Sequence, residues 1–151
     1  MGKYTKIVFM SSDSMSGFLD LIHSDLCGPM SVVSLREFEY YVTFIDDRSR
    51  KTWIYFLKSK KSKEVLQRFQ EFKALVENQT GRKIRALRSN NGGEYTSKEF
   101  DEFCRQEGIR RQLMVPYTPE QNGVAERKNR SIVGFARAML HDQSLPLFLW
   151  A

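Results

Sequence analysis

The spacing of apolar residues changes once along this chain, and that change confines it to a mixed α/β fold. Up to residue 57 apolar side chains come in strand-length runs. Phe18-Leu-Asp-Leu-Ile-His-Ser-Asp25 reads as a strand ending at an acidic residue, stopped by Gly28-Pro29. Glu39–Ile45 is apolar nearly throughout, and after the turn Asp46-Asp47-Arg48-Ser49 the stretch Arg50–Leu57 returns, which together make an antiparallel meander. Then Val65, Phe69, Phe72 and Val76 recur at i, i+4, i+7 and i+11, the stripe of an amphipathic helix over 62–79, with Gly81 as its stop. A fourth strand is expected over Lys83–Arg88, before Gly92-Gly93. Ser97 is placed to cap a short helix burying Phe100, Phe103 and Cys104. Ile109–Val115 forms a fifth strand, closed by Pro116 and Pro119, and a long helix runs from about Gly123 to His141. The order is βββαβαβα, a mixed sheet with helices on its faces.

A chain of 151 residues suits one core. Residues 1–17, rich in serine, read as a leader, and 18–151 as the domain. Lys plus Arg exceed Asp plus Glu by 24 to 18, a net charge of +6 that favours a polyanionic partner. Cys27 and Cys104 belong to no CxxC pair, and His23 and His141 stand far apart, so neither a zinc site nor a disulfide framework is expected. The apolar runs are too short to cross a bilayer, and the N-terminus lacks a secretory pattern. The expectation is a soluble intracellular protein, in nucleus or cytoplasm, with no membrane partner.

Three positions place oxygen donors at strand ends or a helix start: Asp25, Asn90 and Glu126. Each has an ordinary explanation. Asp25 before Gly-Pro suits a turn, Asn90 before Asn91-Gly92-Gly93 is common turn chemistry, and Glu126 complements a helix dipole. Their spacing is less ordinary, because 35 residues separate 90 from 126.

Four separated segments carry a resemblance. They are His23-Ser-Asp-Leu-Cys-Gly-Pro29, Phe44-Ile-Asp-Asp-Arg-Ser-Arg50, Arg88-Ser-Asn-Asn-Gly-Gly-Glu-Tyr95 and Pro116-Tyr-Thr-Pro-Glu-Gln-Asn-Gly-Val-Ala-Glu-Arg-Lys-Asn129. Over residues 18–151 the chain resembles the catalytic core of copia-type retrotransposon integrases, relatives of retroviral integrases and DDE transposases. That resemblance implies an α/β, ribonuclease H-like, mixed five-stranded sheet of order 3-2-1-4-5. It implies a polynucleotidyl transferase that processes the 3′ ends of element DNA and joins them to target DNA. It also implies an Asp, Asp, Glu triad holding two Mg²⁺ or Mn²⁺ ions. Asp25 and Glu126 match the first and third members; position 90 should be Asp and is Asn.

Asn keeps a carbonyl oxygen but supplies no negative charge. At an effective dielectric near 20, a unit charge about 4 Å from a dication contributes on the order of 8 kcal/mol gross. Desolvation cancels much of this, and a residual loss of several kcal/mol cuts turnover by roughly three to five decades. Little or no strand transfer is therefore expected. Asp46 and Asp47 read as turn residues, and Glu94 lies past two glycines, so none of them is assigned as a substitute ligand.

On the last helix, at about 100° per residue, Ala125, Ile132, Ala136 and Met139 share one face. Glu126, Arg130 and Arg137 line the edge beside it, and Arg127 and Lys128 add charge in the first turn. An acidic ligand sharing an edge with arginines suits a phosphate backbone. Tyr117, Gln121 and Asn122, in the loop before this helix, are further DNA contacts by resemblance. The family's full integrase also carries an upstream zinc-binding domain and a basic tail. This chain carries the core alone and stops at Leu149-Trp150-Ala151, so exposed apolar surface and self-association as a dimer or higher are expected. Two further readings stand beside the integrase. One is a decayed or domesticated fragment that binds nucleic acid or protein without catalysis. The other is a nuclease of RNA–DNA hybrids, which the 116–129 motif disfavours.

Overall fold

A computed structural model describes residues 17–30, 34–114, 127, 128 and 130–132. Its elements are β1 (Ile22–Cys27), β2 (Tyr40–Asp46), β3 (Thr52–Leu57), α1 (Ser62–Thr80), β4 (Ala86–Asn90), α2 (Lys98–Gln106) and β5 (Arg110–Met114). The strands form one sheet of order β3-β2-β1-β4-β5. β1, β2 and β3 pair antiparallel, while β1–β4 and β4–β5 pair parallel. This is the mixed sheet and strand order that the resemblance implied. No helix among the described residues is long and apolar enough to cross a membrane.

The bounds of β1 and β4 differ most from the sequence expectation. β1 begins at Ile22, not Phe18, because residues 17–20 close a turn: the Asp20 N–H donates to Gly17 O at 3.2 Å, and the Gly17 N–H to Asp20 Oδ2 at 2.9 Å. The strand then runs on to Cys27, so Asp25 lies within it. β4 begins at Ala86 and includes Asn90, because its ladder needs β5, whose pairing starts at Ala86↔Arg110. A distant partner sets that boundary, and local hydrophobicity does not encode it. The expected helix over 123–141 is described only at 127, 128 and 130–132, which are helical; the rest, like the leader 1–16, lies outside the described residues.

α1 lies on the sheet through the stripe read from the sequence, burying Val65, Phe69, Phe72 and Val76. Phe72 stacks on Phe44 of β2 with centroids 4.7 Å apart, and Phe69 stacks on Phe100 of α2 at 5.7 Å. Gly81 closes α1 in the left-handed region, φ 70°, where a β-carbon is disfavoured. Ser97 caps α2 by accepting the Phe100 N–H at 3.1 Å, and its hydroxyl also receives that of Ser62 at 2.6 Å. Both helices are thereby tied together at their N-termini on one face. The other face carries His23 and Asp25.

Candidate active site

β1 and β4 are parallel neighbours, pairing Ile22 with Leu87 and His23 with Arg88. Asp25 and Asn90 each lie two residues further along these neighbouring strands, towards the same end. Ile22 and Leu87 both enter the core under the helices. Alternation therefore turns Asp25 and Asn90 to the opposite face, with His23 and Arg88. Two of the three sequence-expected ligands thus share one end of the sheet. Glu126, the third, lies outside the described residues. So do Tyr117, Gln121, Asn122 and Arg137.

Both side chains are half-buried. Asp25 Oδ1 accepts the Leu26 N–H at 3.0 Å, and Thr43 Oγ1 donates to the Asp25 carbonyl at 3.4 Å. Asn90 Oδ1 accepts the Gly92 N–H at 2.8 Å, the turn chemistry expected of an Asn before glycines. A β-carbon at Gly92 would stand 2.9 Å from that oxygen and would overlap Glu94 Oε2. The Asn90 carbonyl and the Glu94 carboxylate therefore converge over Gly92, a direction the sequence could not supply.

Tyr95 ends this loop and is fully buried. Its phenol lies 2.9 Å from Ser24 Oγ on β1, and its carbonyl accepts from the Arg111 guanidinium, which also lies 4.6 Å from the Phe100 ring centroid. Burial raises the Tyr95 phenol above its usual range, and the Asp25 charge adds to this. The phenol therefore stays protonated and available as a donor. Tyr95 was not among the sequence candidates. A Tyr after Gly-Gly-Glu reads as loop packing until the fold brings it to Ser24, 71 positions away in the chain.

Asp47 stands in the turn as expected, whereas Asp46 is the last residue of β2. Asp46 is buried and accepts the Leu19 N–H at 2.8 Å and the Ser49 N–H at 2.7 Å. Asp47 Oδ1 lies 2.7 Å from His23 Nε2. Burial lowers the His23 pKa against the raising influence of Asp47, so the ring is neutral and donates from Nε2. Of the expected DNA contacts, Arg127 and Arg130 are exposed on the helix and Lys128 is half-buried.

In donor chemistry Asp25 and Asn90 fit a hard divalent cation, which takes carboxylate and amide oxygens. The pair is one negative charge short of two carboxylates. Among the described residues, no group of three or more His, Cys, Asp and Glu is gathered so as to hold a metal ion.

A mixed five-stranded sheet of order 3-2-1-4-5 with helices packed on it is the ribonuclease H-like arrangement. Residues 19–119 match the model of the integrase core domain, and the chain belongs to that family. It is 53% identical over 150 residues to the retrovirus-related Pol polyprotein from transposon TNT 1-94 of Nicotiana tabacum, and 37% identical over 151 residues to that from transposon RE2 of Arabidopsis thaliana. Each alignment takes in 99% of this chain but only 11% and 10% of those polyproteins. The chain thus spans about a tenth of the relatives it matches.

Among solved structures, a chain of the simian T-cell lymphotropic virus intasome in complex with PP2A regulatory subunit B56 gamma superposes with a TM-score of 0.70 at 21% identity. That match covers 90% of this chain and 49% of the other. The catalytic core domain of BIV integrase gives 0.61 at 19% identity, covering 82% and 72%. At such identities these two matches speak for the fold.

Proposed function

We propose that this chain is the DNA-handling core of a copia-type retrotransposon integrase whose metal chemistry is weakened by Asn90. The observation behind this reading is that Asp25 and Asn90 lie towards the same end of neighbouring parallel strands, on one sheet face. In this reading Asp25, Asn90 and Glu126 hold Mg²⁺ or Mn²⁺. When bound, such an ion polarises a phosphodiester and lowers the pKa of an attacking water or 3′-hydroxyl. Asp25 brings full charge to that task. Asn90 brings a neutral carbonyl already engaged by the Gly92 N–H. DNA passes over the start of the last helix, with Arg127, Lys128, Arg130 and Arg137 on phosphate and Tyr117, Gln121 and Asn122 in the loop before it. Joining two DNA ends to a target calls for more than one copy of the core, so self-association belongs to the same proposal.

Asn90 also favours a second reading, a core that binds DNA without joining it. One experiment separates the two: strand transfer with Mn²⁺ by the parent chain and by Asn90→Asp. Joining by the Asn90→Asp variant alone identifies an integrase disabled at one residue. Joining by neither, with duplex binding retained, favours the binding module. Equal joining by both would overturn the role assigned to Asn90.

A further inference from the structure

The β2–β3 turn presents an arginine in a backbone conformation that suits it poorly. Arg50 has φ 62°, in the left-handed region. A β-carbon there costs roughly 1–2 kcal/mol, and glycine or asparagine is the usual occupant. The turn has no freedom to relax this. The Arg50 N–H donates to Asp46 O at 2.8 Å, the Asp46 N–H donates to Lys51 O at 3.0 Å, and the Asp46 carboxylate holds Ser49 and Leu19. Local stability thus argues against arginine at position 50. Strain held in this way is a pointer to a task for the side chain.

The side chain faces a concavity. Arg50, Arg127, Lys128, Ile45 and Ser131 line a groove of about 380 Å³ between the turn and the last helix. Among the described residues, three cations and a hydroxyl line it. Asp47 stands beside Arg50 at 3.5 Å, steadying the guanidinium from one side while His23 holds the Asp47 carboxylate at 2.7 Å. Like charges gathered round one hollow repel one another until an anion enters. A guanidinium fork, an ammonium and a hydroxyl together match the oxygens of a phosphodiester.

The groove also stands in a useful place. Ile45 is the cross-strand partner of His23, which lies two residues before Asp25 on the same face. We propose that this groove seats a backbone phosphate of the DNA, with Arg50 as its principal contact. The inference rests on the DNA-handling role proposed above. It adds to that role a contact from the β2–β3 turn, on the opposite side of the path from the helix.

The test is the salt dependence of duplex binding by the full chain, followed by fluorescence anisotropy with a short labelled DNA of arbitrary sequence. Each phosphate contact contributes about 0.9 to the slope of log affinity against log salt. Arg50→Gly and Arg50→Asn both tolerate the left-handed conformation and should melt no lower than the parent. Each is expected to lose about one unit of slope, while Arg50→Lys keeps it. Unchanged slopes in both the Gly and Asn variants would overturn the groove while leaving the DNA-handling role standing. Loss of slope in the Lys variant as well would also overturn it, since charge would not be the cause. A parent chain that fails to bind duplex at all removes the DNA-handling role and the groove together.

Discussion

The phenol oxygen of Tyr95 lies 2.9 Å from the hydroxyl of Ser24, the residue immediately before Asp25. Both groups are completely buried, so each depends on the other for its hydrogen bond. Through this contact the loop after Asn90, carrying Gly92 and Glu94, is fastened to the strand carrying Asp25. Tyr95→Phe leaves a buried hydroxyl unpaired and should cost about 1–3 kcal/mol in urea unfolding. Adding Ser24→Ala removes the orphan, so the double variant should be less destabilised than the sum of the singles. Strict additivity would mean that the two hydroxyls do not depend on each other.

Metal affinity should follow charge at the sheet end. Mn²⁺ titrated calorimetrically into the parent should bind weakly. Asn90→Asp should tighten binding at least tenfold, about 1.4 kcal/mol, and Asp25→Asn should abolish it. An Asp25→Asn variant that binds Mn²⁺ like the parent would exclude Asp25 as a ligand.

Phe69 joins three elements, since its ring meets Phe44 of β2, Phe72 of α1 and both Phe100 and Phe103 of α2. Phe69→Ala should destabilise the domain by about 3–5 kcal/mol. Leu75 on the same helix is 41% exposed, and Leu75→Ala should cost far less. Chemical denaturation of the pair checks the assignment of the buried face.

Gly28 follows β1 with φ 134°, and a β-carbon there would stand 2.7 Å from the Glu39 carbonyl oxygen. Neither the conformation nor the backbone contact can yield cheaply. Gly28→Ala should therefore lower stability by about 1–3 kcal/mol, read as a fall in melting temperature. A variant melting with the parent would refute this.

Lys73, buried on α1, bridges Glu77 at 2.7 Å and Glu107 at 2.8 Å. Burial works against its charge, but the hydrogen bonds and charges of the two carboxylates outweigh it and hold the ammonium above its usual value. The hydrogen bond from Lys73, and then its charge, hold Glu107 below the ordinary carboxylate value of 4.5. The Glu107 contribution to stability is therefore complete above pH 4.5 and fades as the pH falls through its lower folded value. The Lys73 contribution is complete below its unfolded value and fades as the pH climbs through the raised one. Glu107→Gln should flatten the acid limb of a plot of melting temperature against pH; an unaltered limb would remove Glu107 from the account.

Much of this molecule could be read from spacing. The α1 stripe of Val65, Phe69, Phe72 and Val76 and the caps at Ser97 and Gly81 stand where periodicity and cap chemistry put them, because those signals lie within a turn or two of the residues they govern. The start of β4 and the run of β1 past Asp25 are not encoded locally, because a ladder extends only as far as its partner does. The direction of Glu94 and the tie from Tyr95 to Ser24 were invisible for the same reason.

By itself, the sequence determined the element order, the buried helix stripe, the family and the Asn at position 90, all carried by neighbouring residues or by motif text. Tertiary structure alone decided that Asp25 and Asn90 share one end of neighbouring strands, that Tyr95 ties the loop after β4 to Ser24, and that Arg50 faces Arg127 and Lys128 across a groove. Each of those relations joins residues distant in the chain, and only strand pairing and packing bring such residues together.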